Sequence, residues 1–150
     1  MAFGPHREGA TMAVVARLRR AHLQAMVEHA LREAPIECCG MLGKRDGVIA
    51  GVYPAKNAEA SPFRFSIDAR EQLRIEAEME AAGHELAGFY HSHTGSEARP
   101  SPTDIRMMAP LFGPPYVHFV IGVADREQPE VRVFTIEGDR AVEHEYELLD

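Results

Sequence analysis

The only two cysteines of the chain are adjacent, at Cys38 and Cys39, and this limits what can hold the fold together. Neighbouring cysteines cannot form an unstrained disulfide with each other, so a disulfide-stabilised secreted fold is excluded. A structural zinc site built from several thiolates is excluded because the chain carries no further thiol. We therefore expect a fold stabilised by its hydrophobic core in the reducing environment of the cytoplasm.

Length and charge restrict the classes of partner. The chain has 150 residues, enough for one ordinary domain, and its 16 basic and 23 acidic residues give a net charge of −7. This charge argues against nucleic acid or an anionic membrane as a partner, because counterion release needs clustered Lys and Arg. No segment reaches the roughly 18 apolar residues of a membrane span. Residues 1–11 lack the apolar run of a signal peptide, and we predict disorder there and one domain over 12–150.

Sequence periodicity predicts a single mixed α/β domain with three helices and six to eight strands. The first helix should contain Leu23 and end near Ala34, because the residue before a proline is forced out of the helical region. The second should begin at Asp68 and stop at Gly83, and the third should begin at Ser101, which is followed by proline. The predicted strands are Met12–Leu18, Cys38–Gly43, Val48–Tyr53, Phe63–Ile67, Leu86–His93, Val117–Val123, Val131–Ile136 and Val142–Leu148.

Residues that could carry chemistry are concentrated at the end of the predicted strand Leu86–His93 and in the segment that follows it. His91 and His93 are two residues apart on this strand, so both imidazoles project from one face. Asp104 lies on the first turn of the helix that begins at Ser101, and its carboxylate can return to the same point. Two histidines and one carboxylate can hold a catalytic zinc ion while leaving a fourth position for water.

The complete spacing is far more specific than the histidine pair. A chain with eight histidines in 150 residues contains about 0.4 His-x-His pairs by chance, so the pair alone means little. Serine eight residues and aspartate eleven residues after the second histidine reduce the chance expectation to about 0.0006 per chain. The string His91-x-His93, Ser101 and Asp104 therefore predicts a metal site.

This string resembles the motif of the JAMM/MPN+ (Mov34/PAD-1) zinc metallopeptidases. That motif is completed upstream by a glutamate in the pattern Glu-x-Cys-Gly, which is similar to Glu37-Cys38-Cys39-Gly40 here. The resemblance extends from about Met12 to the C-terminus. It implies a cytidine-deaminase-like, three-layer α/β fold and one zinc ion per chain, held by His91, His93 and Asp104.

A wider string, Tyr90 to Thr94 followed by Glu97, Pro100 and Ser101, resembles one bacterial branch of the family. These peptidases, of the CysO-cysteine peptidase type, act on small ubiquitin-like sulfur-carrier proteins. Thr94 stands where many family members have proline, and we interpret it as a marker of this branch. The resemblance implies release of cysteine, or of a short C-terminal extension, from the carrier's C-terminal glycine, and thus a place in cysteine biosynthesis.

The resemblance also assigns roles to two further residues. Glu37 would take a proton from the attacking water and pass it to the leaving amine. Ser101 would help to hold the oxyanion, although its hydroxyl could instead cap the helix that it begins. Thr94, Ser96 and Arg99 lie in the neighbouring loop and could contact substrate.

Three alternatives remain open from the sequence alone. The chain could be an isopeptidase for another ubiquitin-like conjugate, or an MPN binding module without activity. Nucleoside deamination ranks low, because its Pro-Cys-x-x-Cys signature is absent from the sequence. A homodimer is possible.

Overall fold

The computed structural model describes residues 13–150, which contain seven strands and three helices in one mixed sheet domain. The predicted disordered segment 1–11 lies outside the described residues. The strands are β1 (Val14–Leu18), β2 (Cys39–Arg45), β3 (Val48–Ala55), β4 (Glu85–His93), β5 (Val117–Gly122), β6 (Glu130–Glu137) and β7 (Arg140–Leu148). The helices are α1 (Arg20–Glu33), α2 (Ala69–Ala82) and α3 (Pro102–Met108).

The seven strands form one sheet in the order β1-β7-β6-β5-β4-β2-β3. The pairs β1/β7 and β4/β5 are parallel, and the other neighbours are antiparallel. Strand β4 lies inside the sheet between β5 and β2, and six of its nine residues are paired with β5, from Gly88 to His93. This position buries the carboxyl end of β4, where the two motif histidines lie.

Helices cover both faces of the sheet, so the predicted three-layer architecture is confirmed. On one face, Met26 and Ala30 of α1 pack against a cluster that includes Leu42, Tyr90 and Phe119. On the other face, side chains of α2 and α3 pack against the sheet in a second cluster, which includes Ile75, Met79, Met108, Met41 and Phe89. None of the helices in residues 13–150 is long and apolar enough to cross a membrane.

The helix boundaries agree with the sequence signals. Helix α1 ends at Glu33, directly before the Ala34-Pro35 pair, and α2 ends at Ala82, directly before Gly83, which adopts a left-handed conformation at φ 76°. Asp68 does precede α2, but its side chain makes no capping hydrogen bond within the described residues.

The predicted strand Phe63–Ile67 is wrong, because these residues form an irregular segment between β3 and α2. In a strand, Phe63 and Phe65 would lie on the same face, but here the exposure of the two rings differs. Phe65 is buried with 2% exposure against the second core cluster, whereas Phe63 is 85% exposed. The backbone of this segment is held by Asn57, whose Oδ1 accepts a hydrogen bond from Ser66 N at 3.2 Å.

Candidate metal centre

Strand β4 and helix α3 bring three metal-binding side chains to one point. His91 and His93 point to the same face of β4, and Asp104 approaches from the first turn of α3. Asp104 Oδ2 lies 3.0 Å from His91 Nε2 and 3.2 Å from His93 Nε2, and the two Nε2 atoms are 3.2 Å apart. All three side chains are at most 5% exposed.

These distances fit a tetrahedral zinc site. Zinc binds imidazole nitrogen and carboxylate oxygen at about 2.0–2.1 Å, which places tetrahedral ligands about 3.3–3.4 Å apart. The three observed separations are within a few tenths of an ångström of that value. The set of two imidazoles and one carboxylate is one that zinc accepts in catalytic sites.

The backbone around the site selects the ligand nitrogen of His93. Its Nδ1 donates a hydrogen bond to the carbonyl of Glu97 at 2.7 Å, which leaves the Nε2 lone pair directed at the centre. Burial would lower the pKa of His93, but the Asp104 carboxylate and the Glu97 carbonyl raise it overall. The ring of His91 is held differently, by stacking on Phe65 with ring centroids 4.4 Å apart.

Asp104 is held as a carboxylate. Burial would raise its pKa, but the neighbouring imidazoles of His91 and His93 and a hydrogen bond from the Ser101 backbone N–H lower it well below its usual range. For His91, burial is the dominant effect and lowers the pKa despite the neighbouring Asp104. A carboxylate beside a neutral imidazole is the protonation state that metal binding requires.

Glu37 is the fourth polar side chain of the centre. One ligand atom each of Glu37, His91 and His93 lies within 4.8 Å of the others. Glu37 is 3% exposed, and among residues 13–150 no hydrogen-bond partner reaches its Oε1 atom. Burial, with a further contribution from Asp104, raises its pKa to about 8 against the opposing effect of His93. A buried carboxylate oxygen without a partner is costly, which indicates that it serves a ligand of the site.

The segment around Glu37 is fixed by β4. Cys38 N donates a hydrogen bond to Ser92 Oγ at 2.7 Å, so the residue between the two histidines anchors the chain beside Glu37. A side chain at Gly40 would place its Cβ 2.3 Å from the Tyr90 ring, which explains why the motif needs glycine there. Tyr90 and Ser92 thus point away from the metal-binding face and serve packing and anchoring.

Ser101 is the N-cap of α3, and its hydroxyl accepts a hydrogen bond from Asp104 N at 3.1 Å. The capping role that the sequence left open is therefore present in the structure. An accepting hydroxyl keeps its own hydrogen to donate, so capping leaves the second predicted role possible. Two of the loop residues, Ser96 and Arg99, line a cavity beside the centre, and Thr94 Oγ1 donates to the carbonyl of Pro35 at 3.2 Å.

Sequence reasoning missed Asn57, which joins Glu37 to the irregular segment. Its Nδ2 donates to the carbonyls of Glu37, at 3.1 Å, and Arg64, at 3.0 Å, and its Oδ1 accepts from Glu59 N and Ser66 N. Asn57 is the only asparagine of the chain, but nothing in a single sequence marks an asparagine whose four hydrogen bonds connect segments brought together only by folding.

Comparison with known proteins identifies the family. Residues 19–137 match the family model of prokaryotic homologs of the JAB domain. The chain belongs to this family. It is 36% identical over 133 residues to the CysO-cysteine peptidase of Mycobacterium tuberculosis, with 87% of each chain covered. It is also 38% identical over 80 residues to the desampylase of Haloferax volcanii, which covers 51% of this chain and 58% of that protein.

Solved structures of similar proteins confirm the fold. The solution structure of a Desulfitobacterium hafniense protein is 34% identical, with a TM-score of 0.75, and covers 89% of this chain and 95% of that one. A JAB1/MPN domain protein from Archaeoglobus fulgidus has a TM-score of 0.60 at 18% identity, covering 90% and 97%. The predicted JAMM/MPN fold class is thereby confirmed.

Proposed function

We propose that this protein is a zinc-dependent peptidase that hydrolyses the amide bond at the C-terminal glycine of a small ubiquitin-like sulfur-carrier protein. The observation that carries the proposal is the buried triangle of His91 Nε2, His93 Nε2 and Asp104 Oδ2, with edges of 3.0–3.2 Å. The unpartnered carboxylate oxygen of Glu37 lies beside this triangle. We assign one zinc ion per chain to the three donor atoms.

Zinc, when bound, polarises a water molecule and the substrate carbonyl at neutral pH. Residues of the chain carry out the proton transfers and stabilise the oxyanion. Glu37 accepts the proton of the attacking water, and the same carboxyl group passes it to the nitrogen of the departing amine. The scissile C–N bond breaks as this proton arrives, so the products are the carrier's carboxylate and a free amine.

The environment of Glu37 suits this role. Its burial raises its pKa to about 8, so its carboxylate is a stronger base than a solvated one. A divalent cation at the neighbouring ligands would lower this pKa and keep the group ionised near neutral pH. A solvated glutamate would be a weaker base, because water stabilises its charged form.

Ser101 is positioned to stabilise charge on the substrate carbonyl. Its oxygen accepts the hydrogen bond from Asp104 N, and its O–H remains free to donate to the oxyanion. Because Ser101 is fixed at the start of α3, this donor needs little reorganisation during the reaction.

The substrate class rests on the relatives. The CysO-cysteine peptidase supports a carrier tail that ends in one added amino acid, and its match covers 87% of both chains. The desampylase supports a second candidate, an isopeptidase for ubiquitin-like conjugates, over a shorter match. A cytoplasmic location suits the two free and buried cysteines.

The decisive experiment incubates the zinc-loaded protein with small ubiquitin-like carriers and measures their intact mass. The substrates carry a Gly-Gly tail alone, the tail with one cysteine, or the tail joined to a lysine side chain. We expect loss of the single residue, and no cleavage after chelation.

The matched variants are Glu37→Gln and Glu80→Gln, the second of which lies on α2 at an exposed position. Glu37→Gln should retain one zinc per chain and lose activity, whereas Glu80→Gln should behave as the wild type. A Glu37→Gln protein that cleaves at the wild-type rate would disprove the assigned base. Absence of bound zinc after reconstitution would instead favour a binding module.

A further inference from the structure

A cavity of about 370 Å³ opens beside the candidate metal centre. His93 and Ser101 form part of its wall, together with Pro100, Ile105 and Arg99. A group bound in this cavity would therefore lie next to the bond that is cleaved. Its volume is near the lower end of the roughly 300–1,000 Å³ of small-molecule pockets, which suits one or two amino-acid residues.

Arg99 gives this cavity a positive group on a rigid support. The guanidinium carbon lies 5.8 Å from the centroid of the Phe134 ring, and Phe134 is fully buried. Arg132 lies at a similar distance, 5.7 Å, from the same ring. Arg132, however, is committed to Glu143 through two hydrogen bonds of 2.8 and 3.1 Å. Of these two arginines, Arg99 is the one available to a ligand.

Within residues 13–150, Arg99 forms an ion pair with Glu97, and this pair is weak. Arg99 Nε lies 3.9 Å from Glu97 Oε1, and the two side chains are 47% and 66% exposed. An exposed pair at this separation contributes little and is readily exchanged for another anion. The planar guanidinium can then donate two parallel hydrogen bonds to an incoming carboxylate.

We propose that Arg99 binds the free α-carboxylate of the amino acid that is released from the carrier tail. This inference rests on the proposed function and makes it more specific. A residue added to the C-terminus of a carrier ends in a carboxylate, whereas a lysine side chain in an isopeptide carries none at that position. Arg99 therefore selects single-residue extensions over protein conjugates.

The test compares two carriers that differ in one group. Both have a Gly-Gly tail extended by cysteine, and the terminal cysteine is either a free acid or a carboxamide. We expect the wild type to cleave the acid with a kcat/KM about tenfold higher, in line with a partly exposed charge-assisted hydrogen bond. Arg99→Gln should lose this preference by reacting more slowly with the acid alone.

Two further variants act as controls. Arg106→Gln removes an equal charge from α3 outside the lining of this cavity, and it should keep the preference. Glu97→Gln removes the competing carboxylate but keeps the backbone carbonyl that holds His93, so it should increase the preference. Thermal unfolding of each variant shows whether it is folded.

Binding provides a readout that is independent of hydrolysis. Calorimetry with the zinc-loaded Glu37→Gln protein measures the affinity of Gly-Gly-Cys peptides as acid and amide, with and without Arg99→Gln. Tighter binding of the acid that requires Arg99 supports the inference even if no carrier is cleaved. Equal binding of the two peptides, no binding of either, or a preference that survives Arg99→Gln would overturn it.

Discussion

Ser101 and Asp104 are joined by two reciprocal hydrogen bonds at the start of α3. Asp104 N donates to Ser101 Oγ at 3.1 Å, and Ser101 N donates to Asp104 Oδ2 at 2.8 Å. This is a capping box in which the acidic member also faces both histidines. The interaction that begins the helix therefore also orients the carboxylate of the candidate metal centre.

The double role of Ser101 can be separated by substitution. Ser101→Ala should cost about 1 kcal/mol of unfolding free energy, whereas Ser101→Gly should cost only a few tenths, because glycine is tolerated at an N-cap. Both variants lose the hydroxyl donor, and we expect kcat to fall about 100-fold to 1,000-fold in each. Urea unfolding and steady-state kinetics measure the two effects. Ser101→Thr should preserve both the stability and kcat. A Ser101→Gly protein with the wild-type kcat would show that Ser101 acts only as the N-cap of α3.

Asp104→Asn should separate metal binding from helix capping. The amide oxygen can still accept from Ser101 N, so the helix start should survive, but the negative charge between the two histidines is lost. We expect zinc affinity to fall by more than the roughly 10–100-fold that is typical of outer-sphere changes. Competition with a chelator measures the affinity, and elemental analysis gives the zinc content.

Asp125→Asn is the matched control for this substitution. Asp125 Oδ1 also accepts a hydrogen bond from a nearby backbone N–H, that of Glu127, but it lies in the loop between β5 and β6. Its zinc content should equal that of the wild type. Full zinc binding by Asp104→Asn would show that Asp104 is not a ligand.

The sequence predicted those parts of the site that depend on local geometry. His91 and His93 share a face because a strand repeats every two residues, and Ser101-Pro102 begins a helix because of local capping chemistry. These rules place three donor atoms from one stretch of chain, and the structure brings them together. The assignment of Glu37 needed a family resemblance, because Glu37 precedes β2 and is far in the sequence from the other three residues.

The sequence could not predict contacts that depend on the tertiary arrangement. Phe63 and Phe65 alternate as in a strand, but the burial of Phe65 comes from stacking on His91 and from packing beneath the sheet. The segment has no sheet partner in the described structure and depends on Asn57 instead. Local periodicity carries no information about such a long-range contact.

Asn57 should position the irregular segment over the centre. Asn57→Asp retains the two accepted hydrogen bonds but loses both donated ones, and it places a carboxylate against the carbonyls of Glu37 and Arg64. We expect a loss of about 3 kcal/mol in unfolding free energy. Because Glu37 and Phe65 are displaced together, kcat should fall about tenfold under conditions where the variant is folded.

Ser61→Ala is the control in the same segment. It removes only the exposed hydrogen bond between Ser61 Oγ and Phe63 N, and keeps the Ser61 carbonyl that accepts from Glu37 N. Its stability and kcat should remain close to those of the wild type. Equal effects of Asn57→Asp and Ser61→Ala would show that Asn57 has no special positioning role.

His118 should make the protein less stable in acid. It is 3% exposed, it stacks on Phe89, and its Nε2 donates to the carbonyl of Phe112 at 2.9 Å. Burial lowers its pKa from 6.5 to about 4 despite this hydrogen bond. Between these two values the unfolded chain binds the proton and the folded chain does not, so stability is full above pH 6.5 and falls towards pH 4. The loss attributable to this group is about 3 kcal/mol at pH 4.

Urea unfolding from pH 7.5 to 4.5 should show a shallower decline for His118→Gln than for the wild type, since both proteins share all other titrating groups. Parallel declines would show that His118 titrates normally in the folded protein.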